Sequence, residues 1–233
     1  MGYLSNYKNN GVENVSGLQA FKKEIALAVQ IDCLQLVSSA YKGLITDQSY
    51  VFQPDETTIT AKLYGEIENI ILKDDLSYCI SPDPFEYTED IIEGRVSTKK
   101  AKKYDLILEN WNNKNKVKLG VEAKLLVETK YKNKRGTTLF KEYVSEVGMG
   151  KYIKKIYKRE GIMVGYVLEG SISKIISHIN TEVANVYSSE HLLTVIKDEL
   201  YPLGTYLSNH SHKGVNLLLY HLMLDFNSMS SHN

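Results

Sequence analysis

Lys103-Tyr104-Asp105-Leu106-Ile107-Leu108 and, further along, Val121-Glu122-Ala123-Lys124-Leu125 decide how this chain is read. Each stretch is apolar enough to be a buried β-strand, yet each carries charge. Buried charges pair with one another or hold an ion, because an unpaired one is costly to desolvate. Trp111 to Asn115 reads as a polar turn, so strands at Tyr104–Asn110 and Lys116–Leu126 form a hairpin. Folding about Asn113-Lys114 sets Asp105 opposite Glu122. Directly opposed residues share a face, with Cβ atoms about 5 Å apart. Lys124, two residues beyond Glu122, points the same way. One face then carries two carboxylates and an ammonium. A divalent cation is one answer: Mg²⁺ takes one or two carboxylates, keeps waters and binds phosphate, and it can polarise a scissile phosphate and activate a water. Lys124 would orient or deprotonate that water, or neutralise charge developing on phosphorus. A structural ion pair of Lys124 with Asp105 or Glu122 explains the spacing equally well.

The flanking sequence supplies the other layers. Ser16 is placed to cap a helix to about Tyr41, with Leu18, Phe21, Ile25, Val29 and Leu36 at helical spacing and Gly43 at its end. Asp55 caps a second helix to about Lys73, with Ile59, Leu63, Ile67 and Ile70 on one face. Pro82 and Pro84 mark a turn, and Phe85 to Ile92 reads as a strand. After the hairpin come a helix over Thr138–Arg159, weakened by Gly148 and Gly150, and an apolar strand at Ile162–Leu168. A helix capped by Ser171 runs to Tyr187, followed by strands at Thr205–Asn209 and Val215–Phe226, the last apolar enough to be central. This order predicts an α/β fold with a mixed sheet flanked by helices. We expect one domain over residues 1–233, with a helical extension over about 1–50 and a core over about 51–233.

Composition narrows the class. The 233 residues are 43% hydrophobic and 24% charged, as in soluble globular proteins. No apolar run approaches the roughly 18 residues that would suggest a membrane span. The polar start, Met1 to Asn10, does not resemble a secretory signal, so the cytoplasm is the expected location and no membrane partner is expected. Cys33 and Cys79 lie in apolar stretches and read as buried thiols rather than a disulfide. Lys+Arg and Asp+Glu are equal at 28, but Arg95 to Glu160 holds 19 basic and 7 acidic residues, leaving 9 and 21 elsewhere. That asymmetry suggests a basic surface, with Tyr131, Tyr152 and Tyr157 among its lysines. Such a surface suits nucleic acid, since lysines neutralise phosphates and tyrosines stack on bases. A solvated lysine-rich face would look the same.

Asp105, then sixteen residues, then Glu122-Ala123-Lys124 resembles the PD-(D/E)XK nuclease superfamily, the restriction-endonuclease-like fold. The Pro of that motif is replaced here by Tyr104. The resemblance covers about Asp55 to Leu168 and implies a core of order α-β-β-β-α-β. It implies a metal-dependent nuclease in which Asp105 and Glu122 hold Mg²⁺, with Mn²⁺ able to substitute, and Lys124 serves the water or transition state. An acidic residue on the first core helix often completes such a site. Glu56 matches, with Glu66 and Glu68 as rivals and a helix-surface glutamate as the plainer reading of each. Lys151 and Tyr152 fall where some relatives place a site-facing side chain. With Lys102, Lys103 and Lys155 they are the candidate nucleic-acid contacts. DNA is the expected substrate, defence against foreign DNA or repair the implied context, and a homodimer would suit cutting of both strands. The alternatives are a non-catalytic nucleic-acid-binding module retaining the fold and a regulatory scaffold in which Lys124 is structural.

His210-x-His212 and His221 could suggest a metal pair, but Ser208 to Gly214 reads as a turn and no carboxylate or cysteine accompanies them, which favours structural or solvent-facing histidines. Phosphate-loop and nucleophile-elbow patterns are absent.

Overall fold

Asp55 starts the first helix of the hairpin's support: its carboxylate accepts the backbone N–H and the hydroxyl of Thr58, both at 2.9 Å. A computed structural model describes residues 13–46, 55–86, 93, 102–110, 117–154, 161–212 and 215–230. Helix α1 (Glu13–Thr46) precedes α2 (Glu56–Lys73), which buries Ile59, Leu63, Ile67 and Ile71 along one stripe. Strands β1 (Tyr78–Pro82), β4 (Leu106–Asn110) and β5 (Val117–Val127) form an antiparallel meander. Two-residue strands β2 (Phe85–Glu86) and β3 (Lys102–Lys103) pair in a separate ribbon, as do β6 (Lys130–Tyr131) and β7 (Lys134–Arg135). Helices α3 (Gly136–Val144) and α4 (Gly150–Ile153) lead to β8 (Gly161–Glu169), parallel to β5. Helix α5 (Ile172–Val186), capped by Ser171, leads to β9 (Thr194–Val195), β10 (Thr205–His212), β11 (Val215–Asp225) and α6 (Asn227–Ser230).

The chain is therefore an α/β protein with a mixed seven-stranded sheet, in the order β1-β4-β5-β8-β11-β10-β9. β11 runs parallel to β8 and antiparallel to β10. Strand alternation divides the interior into two cores. Leu106, Leu119, Val121, Ile162, Val164 and Leu222 face α1 and α2. Ile107, Leu126, Met163, Val167, Leu219 and Met223 face α3, α4 and α5. β8 is buried along almost its whole length, as a parallel strand covered on both faces must be. No helix among the described residues is long and apolar enough to cross a membrane.

Six expectations need correcting. The first strand of the meander is Tyr78–Pro82, which shows no apolar alternation because it is the sheet edge and buries only Ile80. Pro82 ends it, a position open to proline on an edge strand. Of Phe85–Ile92 only Phe85–Glu86 is strand, and the remainder lies outside the described residues. The helix expected over Thr138–Arg159 stops at Val144 and restarts briefly at Gly150, with Gly148 folded so tightly against the carbonyls of Glu142 and Tyr143 that a side chain there would clash. Residues 208–212 are strand rather than turn. Helix α1 is not peripheral: Val29, Cys33, Leu34, Val37, Ala40 and Leu44 belong to the core shared with α2 and the sheet. Both cysteines are free, and Cys79 is exposed on edge strand β1 rather than buried.

Candidate active site

The β4–β5 ladder ends on the pair of Leu106 with Val121, and Asp105 lies just outside it. The Asp105 N–H donates to the carbonyl of that same Val121 at 3.1 Å, so its backbone is bonded to Val121 and not to Glu122. Alternation along β5 sends Glu122 and Lys124 to the same side as Leu126, towards α3 and α4. Asp105 is further fixed by the Ala123 N–H, which donates to its Oδ2 at 2.7 Å.

Glu122 is 1% exposed and has two lysine ammonium groups on it. Its Oε1 accepts from Lys151 Nζ at 2.6 Å and lies 2.8 Å from Lys124 Nζ. Lys124 also donates to Glu56 Oε1 at 3.2 Å and to the Ala123 carbonyl at 2.6 Å. Glu56 enters from the first turn of α2, where its Oε2 accepts the Leu125 N–H at 3.3 Å. The other helix glutamates go elsewhere. Glu66 packs on Gly43 of α1, and Glu68 accepts the Tyr64 hydroxyl at 2.9 Å. The fold thus brings Asp105, Glu122, Glu56, Lys124 and Lys151 together. A cleft of about 110 Å³ between α2 and the β1–β4 end of the sheet opens on it, lined by Glu56, Thr57, Thr60, Tyr64, Asp83 and Asp105.

The electrostatics are those of a crowded anionic site. Burial, then the charge of Glu122, pushes the Asp105 carboxyl from its ordinary 3.8 up to about 6, with Glu56 adding to the rise. Lys124 and the Ala123 N–H only partly offset this. Burial pulls the Lys124 ammonium down, but Glu122, Glu56 and Asp105 together outweigh it and hold the group above its ordinary value. Lys124 is therefore a cation here rather than a base. The carboxylate oxygens of Asp105, Glu122 and Glu56 are of the kind that a hard divalent ion such as Mg²⁺ takes. With two ammonium groups drawn in, no three His, Cys, Asp or Glu side chains among the described residues form a metal-holding group.

The remaining candidates divide. Tyr152 is 1% exposed and its hydroxyl donates to the Gly120 carbonyl at 3.0 Å, so it is a packing residue and not a nucleic-acid contact. Gly120 and Gly161 leave room for the Tyr104 and Tyr152 rings, which a Cβ at either glycine would strike. Tyr104, at the motif's Pro position, is wholly buried. Lys103 forms an exposed ion pair with Asp83 at 3.0 Å. Lys102 lies on β3, and Lys155 lies outside the described residues. Elsewhere in the basic stretch, Lys118, Lys134 and Lys154 pair with Glu109, Glu142 and Glu146.

The histidines form a separate buried chain. Tyr143 OH lies 2.8 Å from His221 Nδ1, and Ser208 Oγ lies 2.7 Å from both His221 Nε2 and His210 Nε2. The donor and acceptor roles along this chain follow the histidine tautomers, and His210 Nδ1 is buried without a hydrogen-bond partner. Burial lowers His221 to about 3 and His210 to about 4. They are structural, as the sequence suggested, but lie on paired strands.

No family model matches the chain, and comparison with curated proteins and with solved structures finds no match.

Proposed function

We propose that the protein is a metal-dependent nuclease of the PD-(D/E)XK, restriction-endonuclease-like kind, hydrolysing phosphodiester bonds in nucleic acid, with DNA the favoured substrate. The observation that carries this reading is the convergence of Asp105 and Glu122 beside Lys124, with Glu56 arriving from the preceding helix. The order α2-β1-β4-β5-α3-β8 supports the same reading, since it is the helix, three-stranded meander, helix and parallel strand implied by the motif.

Asp105, Glu122 and Glu56 would hold Mg²⁺ or Mn²⁺. The ion, when bound, supplies Lewis acidity at the phosphate and lowers the pKa of water. Lys124, kept protonated by its carboxylate neighbours, neutralises charge developing on the phosphoryl oxygens rather than taking a proton. The Ala123 N–H keeps Asp105 aimed across the strand pair. Lysines of the 95–160 stretch hold the backbone electrostatically, so binding is salt-sensitive and largely sequence-neutral. A cytoplasmic setting, a defence or repair role and a homodimer cutting both strands belong to the same proposal.

A second reading has its own support: Lys124 and Lys151 on one Glu122 oxygen also describe a structural ion cluster in a non-catalytic binding module. Incubation with plasmid and single-stranded DNA, with Mg²⁺, Mn²⁺ or EDTA, separates the two. Metal-dependent cutting that disappears in Asp105→Ala and Lys124→Ala supports the nuclease. Binding without cutting, unchanged by those substitutions, supports the module.

A further inference from the structure

We propose that Lys151 is a tethered counter-cation, seated on Glu122 in place of the divalent ion and displaced when that ion enters. The inference rests on the nuclease reading above and adds a control step to it. Glu122 is almost wholly buried, so its charge is compensated by protein cations rather than by water. Lys151 and Lys124 approach the same oxygen, Oε1. Three carboxylates, Asp105, Glu122 and Glu56, face these two ammonium groups. A divalent ion added to both lysines would leave the cluster positive, whereas exchange for one lysine leaves it neutral.

Burial decides which lysine leaves. Lys124 is 11% exposed and is also held by Glu56 and the Ala123 carbonyl. Lys151 is 21% exposed and reaches Glu122 from α4, on the far side of the break at Gly148. The backbone of α4 stays in place, because Tyr152 is bonded to Gly120 and Met149, Tyr152 and Ile153 are buried. Exchange is therefore a swing of the four-carbon lysine stem. The freed ammonium remains beside the site, where a phosphate oxygen of the nucleic-acid backbone is the anion that can receive it. Ion entry and phosphate binding then favour each other.

The test is calorimetric titration of the full chain with Mn²⁺, alongside thermal melts. Lys151→Met and Lys151→Gln should bind Mn²⁺ about tenfold more tightly than wild type, the worth of one charge-assisted hydrogen bond. Lys151→Arg, which keeps the charge, should bind no more tightly than wild type. Lys154→Met removes an exposed charge nearby, paired with Glu146, and should stay within about twofold because exposed charges are screened. Wild-type binding that Asp105→Asn abolishes, but that neither neutral Lys151 variant strengthens while melting normally, overturns the exchange and leaves the metal site standing. Should Lys151→Met not fold, Lys151→Gln and Lys151→Arg decide by the sign of their difference. Mn²⁺ binding absent from the wild type, or unaltered in Asp105→Asn and Glu122→Gln, overturns both the metal site and the exchange.

Discussion

Asp105 accepts the amide N–H of Ala123 at 2.7 Å, which ties its carboxylate to the peptide that follows Glu122. An asparagine keeps an oxygen for that N–H but loses the charge. Asp105→Asn should therefore fold normally and lose metal-dependent cutting by at least about a hundredfold, since several kcal/mol of transition-state stabilisation go with the ion. Single-turnover cleavage with a matched melting curve checks it. Undiminished cutting would remove Asp105 from the site.

The same carboxyl imposes a pH dependence on the metal-free protein. Its folded pKa, about 6, exceeds the ordinary 3.8, so the folded state holds the proton more tightly. This contribution destabilises the protein as pH rises through the interval between those values and is fully present above it. In EDTA at pH 7, Asp105→Asn should be more stable than wild type by on the order of 2 kcal/mol, and the difference should vanish near pH 4. Denaturant melts at several pH values give the answer. A variant no more stable than wild type at pH 7 would contradict it.

Lys124 and Glu122 should be coupled in a double-mutant cycle. Removing Lys124 alone strips one cation from a buried carboxylate, and losses near 3 kcal/mol are ordinary for a broken buried pair. Lys124→Met with Glu122→Gln should cost less than the two single changes added together. Additive losses in urea melts would mean that the pair exchanges no energy.

The Tyr143–His221–Ser208–His210 chain predicts an acid limb independent of the carboxylates. Both histidines are depressed from 6.5, to about 3 and about 4, so the unfolded chain takes up protons first. Their stabilisation is complete above pH 6.5 and is lost as pH falls towards those values, at up to about 1.4 kcal/mol per pH unit for each histidine. Replacing His210 by Gln should flatten the slope between pH 6 and 4. Stability curves for the variant and wild type that stay parallel over that range would refute the assignment.

Much of this architecture was legible in the sequence. Asp55 and Ser171 announced their helices because side-chain capping is local chemistry. The β4–β5 register was legible from Leu106 to Asn110 because the polar turn sets each pair, but it stops at Leu106 with Val121, one residue short of Asp105 and Glu122. β1 was not, because an edge strand burying one residue leaves almost no periodicity. The role of Tyr152 escaped as well. Its neighbours are lysines, and only the folded chain reveals the carbonyl of Gly120 behind it. Glu56 stood out from Glu66 and Glu68 only once α2 had been set against β5, since helix phase alone cannot say which end of a helix meets a strand. Lys151 was legible as a residue near the site, but nothing in its local sequence points to Glu122 as a partner.

The hydroxyl of Tyr41 in α1 donates to the carbonyl of Asp225 at the end of β11, across 184 positions of chain. β11 also lies inside the sheet, between β8 and β10. A nascent polypeptide emerging from the ribosome would therefore hold its early helices against an unfinished middle until β11 had been synthesised. Loop closure over such separations is slow, so assembly should be gated by arrival of the final long strand, and shortened products ending before it should be insoluble.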